Sequence, residues 1–177
     1  IRSKNKNFIN LCLNSELSSE ITLQPIKRFN LDSAIIFSDI LIVQFALGQE
    51  VSFIIGKNPK LSSFNLKDFL SNNEKEFTIK LKPVYKAIEI TRKKLDKNKS
   101  LISFIGAPWT LLVYMIGAKL NKNEMNYKMI NEKKDEVSII LDKLNYFLCL
   151  HLENQIKAGA DVVQIFDSWA GLISPED

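Results

Sequence analysis

The sequence predicts an α/β fold with a parallel sheet, because short apolar runs alternate with helical segments along its 177 residues. The runs Ala34–Phe37, Leu101–Ile105 and Asp161–Phe166 have the length of buried strands, and each ends in a polar or turn-forming cluster. Consecutive parallel strands need crossover helices of the kind that separate these runs. Ligands bind at the carboxyl ends of such strands, so the three clusters are the candidate site segments.

The composition is that of a globular protein. Hydrophobic residues make up 46%, which excludes a disordered chain, and the net charge is +4. No apolar run approaches the roughly 18–20 residues of a membrane span, so we expect no membrane partner. Aromatic residues are not interleaved with basic clusters, and we therefore expect no nucleic-acid partner either.

The first half of the chain predicts one helix and two strands. A helix is expected over residues 14–29, capped by Ser15 and perturbed at Pro25, because proline lacks an amide hydrogen and clashes with the preceding turn. The segment Ser33–Val43 contains the first buried strand. A second short strand is expected over residues 51–55.

The second half predicts three helices and two strands. An amphipathic helix over Lys82–Asp96 would carry Pro83 in its first turn, where proline is tolerated. A short helix is expected from Pro108 to about Ile116, and a long one over Glu132–Lys157, where apolar residues recur every three or four positions. The last two of these helices separate the strands expected at Leu101–Ile105 and Asp161–Phe166.

The cysteines and the single histidine do not form a metal site. Cys12 and Cys149 lie in apolar surroundings with no CxxC pair, so we expect two buried thiols in a reducing cytosol. His151 falls in the middle of the long predicted helix and is expected to be half-buried. No arrangement of these residues predicts nucleophilic catalysis.

Asp39 is the most distinctive polar residue, because it directly follows a strand expected to be buried on both faces. A partly desolvated carboxylate needs hydrogen bonds or a cation. Asp39 therefore either caps the following helix or belongs to a binding site, and the spacing leaves both interpretations open.

The other two clusters supply further candidates. Trp109 follows the strand expected at Leu101–Ile105 and either packs in the core or stacks on a ligand. Tyr114 lies one helical turn or more beyond Trp109. Ser168 follows the third strand and either donates to a ligand carboxylate or caps the next helix. No glycine-rich phosphate-binding motif occurs.

Three segments resemble the uroporphyrinogen decarboxylase family. They are Phe37–Leu41, Gly106–Thr110 followed by Tyr114-Met115, and Gln164–Gly171, and they occur in the family's order. The resemblance extends from about residue 8 to residue 175. Val43-Gln44-Phe45 departs from it, since the family has a proline there.

The resemblance implies a (β/α)8 TIM barrel with an N-terminal helix. It also implies a cytoplasmic carboxy-lyase that works as a homodimer without a metal or an organic cofactor. Such an enzyme converts the four acetate side chains of uroporphyrinogen III to methyl groups, giving coproporphyrinogen III in haem biosynthesis. In this sequence the family's catalytic aspartate corresponds to Asp39, which would accept hydrogen bonds from the pyrrole N–H groups. Tyr114 and Ser168 correspond to substrate-binding hydroxyls.

The resemblance further implies that residues 1–177 are an incomplete single domain, the N-terminal half of such a barrel. The family's arginine-rich segment would precede Ile1, and its later strands and a site histidine would follow Asp177. We therefore expect the chain alone to be inactive. Two alternatives remain, a corrinoid-linked methyltransferase of the same superfamily and a non-catalytic remnant that only binds a tetrapyrrole or a partner.

Overall fold

The computed structural model of the chain describes residues 5, 7–54, 58–121, 124–126 and 130–173. The helices are α1 (Phe8–Cys12), α2 (Ser15–Phe29), α3 (Ile42–Ala46), α4 (Leu66–Ser71), α5 (Glu74–Lys94), α6 (Pro108–Met115) and α7 (Lys134–Lys157). The strands are β1 (Ser33–Ile35), β2 (Val51–Ser52), β3 (Lys60–Leu61), β4 (Ser100–Gly106), β5 (Lys119–Asn121), β6 (Glu124–Met125) and β7 (Val162–Phe166). A short 3-10 helix, Ala170–Leu172, follows β7.

The predicted parallel sheet is confirmed. Strands β1, β4 and β7 pair in that order and all run parallel, with Ala34 opposite Leu101 and Ile105 opposite Ile165. Their carboxyl ends therefore lie along one edge of the sheet. The chain is an α/β protein in which the three predicted site segments follow neighbouring strands.

The second short strand was predicted correctly only in part. Val51–Ser52 forms β2, but it pairs antiparallel with Lys60–Leu61 in a separate two-stranded sheet. Residue 55 of the predicted strand lies outside the described residues. A run of apolar residues this short does not distinguish a strand of the main sheet from a small hairpin.

Helix α2 differs from its prediction at both its cap and its proline. The Asn14 side chain, rather than Ser15, accepts the cap hydrogen bond, from the Leu17 amide at 3.1 Å. The helix continues through Pro25 to Asn30, which ends it with a left-handed φ of 49°. Pro25 is exposed, so water can reach the Ile21 carbonyl that its missing amide leaves without a partner.

Helix α5 begins eight residues before the predicted start. The Asn73 side chain caps it by accepting from the Glu76 amide, and the buried stripe includes Phe77 ahead of the predicted segment. Pro83 therefore lies inside the helix rather than in its first turn. The carbonyl four residues earlier belongs to Ile79, which is exposed, so water can serve it.

Arg92 of α5 joins the strands at their amino ends. Its guanidinium donates to the Asp161 carboxylate at 2.7 Å and to the Lys99 carbonyl at 3.0 Å. The same carboxylate oxygen accepts the Leu101 amide, at the start of β4. Gly159 lies against the Arg92 stem with φ +110°, a conformation and a spacing that exclude a side chain. Arg92 thus fixes α5 to β4 and β7.

Two predictions about polar side chains were wrong. His151 is not half-buried but 2% exposed, and its Nδ1 lies 3.0 Å from the Tyr85 hydroxyl. Cys149 is exposed, whereas Cys12 is buried as expected. The outcomes for Cys149 and His151 follow from their helix positions, because Cys149 lies on the outer face of α7 and His151 on the inner one.

The largest apolar cluster joins the helices to β4 and to the segment before α3. Its fully buried large side chains include Leu41, Ile42, Phe69, Phe77, Leu81, Leu111, Leu112, Ile140 and Phe147. No helix of the described ranges is long and apolar enough to cross a membrane.

Candidate active site

Asp39 lies just beyond the carboxyl end of β1, partly buried, as predicted. Its Oδ1 accepts a hydrogen bond from the Leu41 amide at 2.8 Å, a local turn that precedes α3. Among the described residues this is the one hydrogen bond to the carboxylate. The Asp39 side chain therefore does not cap α3, whose N-cap is Leu41 with no side-chain hydrogen bond. It closes a turn through one oxygen, and within the described residues the second oxygen is left for another donor.

The surroundings of Asp39 disfavour its charge. Burial raises the pKa of the Asp39 carboxyl above its ordinary value, and the Leu41 amide offsets only part of that rise, because it stabilises the charged form. A donor or a cation placed against the second oxygen would stabilise the charged form. The site is thus suited to a ligand with N–H groups or positive charge.

Two hydroxyls of α2 hold the strand end that leads to Asp39. The Ser18 hydroxyl donates to the Phe37 carbonyl at 2.6 Å, and the Thr22 hydroxyl accepts the Phe37 amide at 2.8 Å. Thr22 in turn donates to the Ser18 carbonyl. Both hydroxyl residues are buried, so they fix the backbone two residues before Asp39.

The end of β4 approaches both neighbouring segments closely. A Cβ on Gly106 would lie 2.6 Å from the Leu111 Cδ2 and 3.2 Å from the Ile40 Cβ. The Ala107 amide donates to the Phe166 carbonyl at 2.8 Å, which continues the pairing with β7 past the strand end. The segment after Asp39 thus packs directly on β4, and a side chain at position 106 would require the Leu111 side chain and Ile40 to shift.

The first turn of α6 is joined to the segment after β7. The Thr110 hydroxyl donates to the Asp167 carboxylate at 2.7 Å and accepts the Trp169 amide at 3.1 Å. The Trp109 indole N–H donates to the Trp169 carbonyl at 3.3 Å. Trp109 is half-buried and serves the packing of this corner, which agrees with the core alternative.

Tyr114 lies one turn after Thr110 on the same face of α6. Its ring meets the Trp169 ring edge to face, with 6.1 Å between the centroids. Tyr114 also borders a cavity of about 380 Å³ between the end of α6 and the β3–α4 segment, where Ser62 and Ser63 lie. The structure therefore brings Tyr114 next to the segment that carries Ser168.

Ser168 is exposed at the carboxyl end of β7. Within the described ranges its hydroxyl makes no hydrogen bond, and the 3-10 helix that follows has no side-chain cap. The cap alternative for Ser168 is therefore wrong in this structure. Among the described residues no group competes for its hydroxyl, which is exposed at the strand end.

A cavity of about 860 Å³ lies elsewhere in the described part of the chain. It opens among α2, α5 and α7, next to Asn14, Lys82 and Asn154, and touches none of the candidate residues. We place the site at the strand ends because the three predicted site segments follow neighbouring parallel strands. In the same ranges no group of three His, Cys, Asp or Glu side chains is arranged to hold a metal ion.

Sequence reasoning missed the hydroxyls that support the site. Ser18 and Thr22 are four residues apart in α2, a spacing that places two small hydroxyls on one helix face and was available as a signal. Thr110 was identified only as part of the segment Gly106–Thr110. Nothing in the local sequence distinguishes a buried threonine that bonds another loop from one that bonds its own helix.

Comparison with known proteins gives one consistent family. A family model described as "Uroporphyrinogen decarboxylase (URO-D)" matches residues 1–177. Uroporphyrinogen decarboxylase of Rickettsia bellii (strain RML369-C) is 42% identical over 181 residues, covering 100% of this chain and 52% of the relative. That of Orientia tsutsugamushi (strain Ikeda) is 44% identical over 177 residues, covering 98% and 51%.

The chain thus spans about half the length of the curated relatives it matches. Among solved structures, a methyltransferase from Methanosarcina mazei superposes with a TM-score of 0.73 at 21% identity, over 93% of this chain and 49% of the other. A likeness at that identity shows the fold alone.

Proposed function

The chain belongs to the uroporphyrinogen decarboxylase family, and we propose on that premise that the full-length protein carrying it decarboxylates uroporphyrinogen. The product would be coproporphyrinogen, with the four acetate side chains converted to methyl groups. The observation that supports this most is the position of Asp39, a partly buried carboxylate with one oxygen uncommitted at the carboxyl edge of a parallel sheet.

Asp39 would act as a fixed anion. In the proposed reaction a pyrrole carbon next to the acetate is protonated, and the resulting cationic ring accepts the electron pair released when the C–CO₂ bond breaks. Protonation of the methylene carbon and loss of the ring proton then give the methyl group. A preorganised carboxylate beside that cation stabilises it, which is the largest single effect in many enzymes.

The environment of Asp39 fits this role. Burial raises the pKa of its carboxyl when the site is empty, so pyrrole N–H donors and a cationic ring would stabilise the charged form by supplying what burial removes. The Leu41 amide holds Oδ1 in place. Substrate N–H groups would then bind to the remaining oxygen.

Tyr114 and Ser168 would bind the carboxylates around the rim of the tetrapyrrole. Ser168 has an exposed hydroxyl at the end of β7, and Tyr114 packs against the neighbouring Trp169. Two hydroxyls on one rim fix the orientation of the ring and thus which acetate meets the proton donor.

We further propose that the three-stranded sheet is one wall of a (β/α)8 barrel, with residues 1–177 as an incomplete domain. The outer strands support this, since β1 and β7 each pair on one side within the described residues. Apolar side chains of these strands are exposed, namely Ile35, Val162, Ile165 and Phe166. Burial of such residues against further strands is typical of a barrel interior and its helical layer.

The proposal also includes a cytoplasmic homodimer. Cys12 and Cys149 are both in the thiol form, which suits a reducing compartment. The homodimer rests on the family resemblance, and sedimentation of the full-length protein tests it.

The test of function is a product assay. Full-length protein incubated anaerobically with uroporphyrinogen III should release four equivalents of CO₂ and give coproporphyrinogen III by chromatography. The 177-residue chain at the same concentration should give neither. Absence of both products from the folded full-length protein would contradict the proposed activity, and methyl transfer from a methylated corrinoid in its place would establish the superfamily alternative.

A further inference from the structure

We propose that Thr110 is a positioning residue that sets the place of Ser168, an inference that rests on the proposed role of Ser168 in binding substrate. Thr110 lies in the first turn of α6 and is 0% exposed. It therefore cannot meet substrate itself, and any effect on the reaction passes through its contacts.

The Thr110 hydroxyl holds both neighbours of Ser168. It donates its proton to the Asp167 carboxylate at 2.7 Å and accepts the Trp169 amide at 3.1 Å. A hydroxyl has one proton and two lone pairs, so both bonds exist at once. The two bonded residues, Asp167 and Trp169, are the immediate neighbours of Ser168, so the backbone of Ser168 has little freedom.

Two more hydrogen bonds from the same part of α6 extend this hold. The Ala107 amide donates to the Phe166 carbonyl at 2.8 Å, and the Trp109 indole donates to the Trp169 carbonyl at 3.3 Å. Residues 166, 167 and 169 are thus each bonded to residues 107–110, and residue 168 alone directs an uncommitted hydroxyl outward. This arrangement presents one side chain from a segment that is otherwise fixed.

Threonine in a helix commonly bonds the carbonyl of its own preceding turn. Thr91 of α5 does so, since its hydroxyl donates to the Ala87 carbonyl at 2.7 Å and it is also 0% exposed. The Thr110 hydroxyl instead donates to the Asp167 side chain, in the segment that follows β7. Thr91 is therefore a matched control for the loss of a buried threonine hydroxyl.

The substitution Thr110→Val keeps the branched shape and removes both bonds. In the full-length protein, hydrogen exchange of the Trp169 amide should become at least about tenfold faster, because its acceptor is lost. The value of kcat/KM for uroporphyrinogen should fall by about 10- to 100-fold, mainly through KM, since a misplaced binding group costs up to about 100-fold. Thr110→Ser should restore both quantities, and Thr91→Val should change neither.

A double-mutant cycle separates positioning from general loss of structure. If Thr110 acts through Ser168, Thr110→Val should add less than about twofold to KM in a Ser168→Ala background, because coupled residues are not additive. Full additivity, or an unchanged Trp169 amide in Thr110→Val, overturns the proposal. If Ser168→Ala itself leaves KM unchanged, the proposed role of Ser168 fails, and the exchange rate of the Trp169 amide still decides whether Thr110 holds the segment.

Discussion

Asp39 carries its charge at a cost to the fold. Because burial raises the pKa of its carboxyl, the folded chain binds this proton more tightly than the unfolded chain. Folding stability from Asp39 is therefore lost as the pH rises from the unfolded pKa through the raised folded pKa. At neutral pH the replacement Asp39→Asn, which keeps an acceptor for the Leu41 amide, should raise the free energy of unfolding. Such opposition between stability and function is common at active sites.

His151 gives the opposite pH dependence. Burial lowers the pKa of its imidazole to about 3, so the folded chain excludes a proton that the unfolded chain binds below about pH 6.5. The free energy of unfolding should fall as the pH decreases from 6.5 towards 3, by up to about 1.4 kcal/mol per pH unit. Urea titrations between pH 5 and pH 7 measure this slope.

The control for this slope is His151→Gln, which keeps an acceptor for the Tyr85 hydroxyl bonded to His151. The chain has a single histidine, so this variant should lose the dependence between pH 5 and pH 6.5. An equal slope in both proteins would show that His151 is not the titrating group.

At the scale of single residues, the sequence predicted where the candidate site residues lie in the fold better than it predicted their hydrogen-bond partners. Asp39 and Ser168 lie at strand ends because buried apolar strands end at polar residues. The end of an apolar run in the sequence therefore predicts the end of the strand. Burial of His151 agrees with its position three residues after Leu148 on the buried face of α7, but its contact with Tyr85, 66 positions away, was not predictable. Long-range partners of this kind leave no local pattern.

At the scale of elements, the contact between α2 and the end of β1 should determine how firmly Asp39 is held. Thr22→Val removes the acceptor of the Phe37 amide and the donor to the Ser18 carbonyl. A buried amide without a partner costs about 1–3 kcal/mol, so urea denaturation should show a loss of that size. Thr22→Ser keeps the hydroxyl and should lose less than about 1 kcal/mol. Equal losses in the two variants would mean that packing, not the hydroxyl, fixes this contact.

Helices and strands were predicted correctly where the apolar pattern and the proline and glycine positions agreed. The start of α5 was mispredicted because those two signals disagreed there. Strands β4 and β7 and helix α6 follow from apolar runs, a proline start and Gly117, whose φ is +68°. The start of α5 was missed because Pro83 looked like a first-turn residue, although the Asn73 cap and the buried Phe77 already favoured an earlier start. Tertiary packing overrode the proline.

Gln44 lies in Val43-Gln44-Phe45, the segment that departs from the family resemblance, and its side chain makes a long-range contact. The Gln44 side chain is 0% exposed and donates to the Leu111 carbonyl at 3.3 Å. Nearby, Gln49 donates to the Met115 carbonyl at 2.9 Å. The segment that follows Asp39 is thus fixed to α6 by side-chain amide hydrogen bonds.

At the scale of the whole molecule, the three strand ends form one continuous edge. The strand end before Asp39 is held from α2, the neighbours of Ser168 are held from α6, and Gly106 of the middle strand lies close to Ile40. Adjacent parallel strands made this edge predictable, since their carboxyl ends must coincide. The hydroxyl anchors that shape it were not, because each joins elements distant in sequence.

The proposed mechanism depends most directly on Asp39, and the turnover of uroporphyrinogen by the Asp39→Asn variant of the full-length protein tests it. We expect kcat to fall by about 10²–10³-fold or more, because the anion that stabilises the cationic pyrrole is lost. The same variant should be at least as stable as the parent in urea at pH 7, whereas Asp32→Asn, at the exposed start of β1, should leave kcat unchanged. An Asp39→Asn enzyme with near-parental kcat would show that Asp39 only caps a turn and would contradict the proposed mechanism.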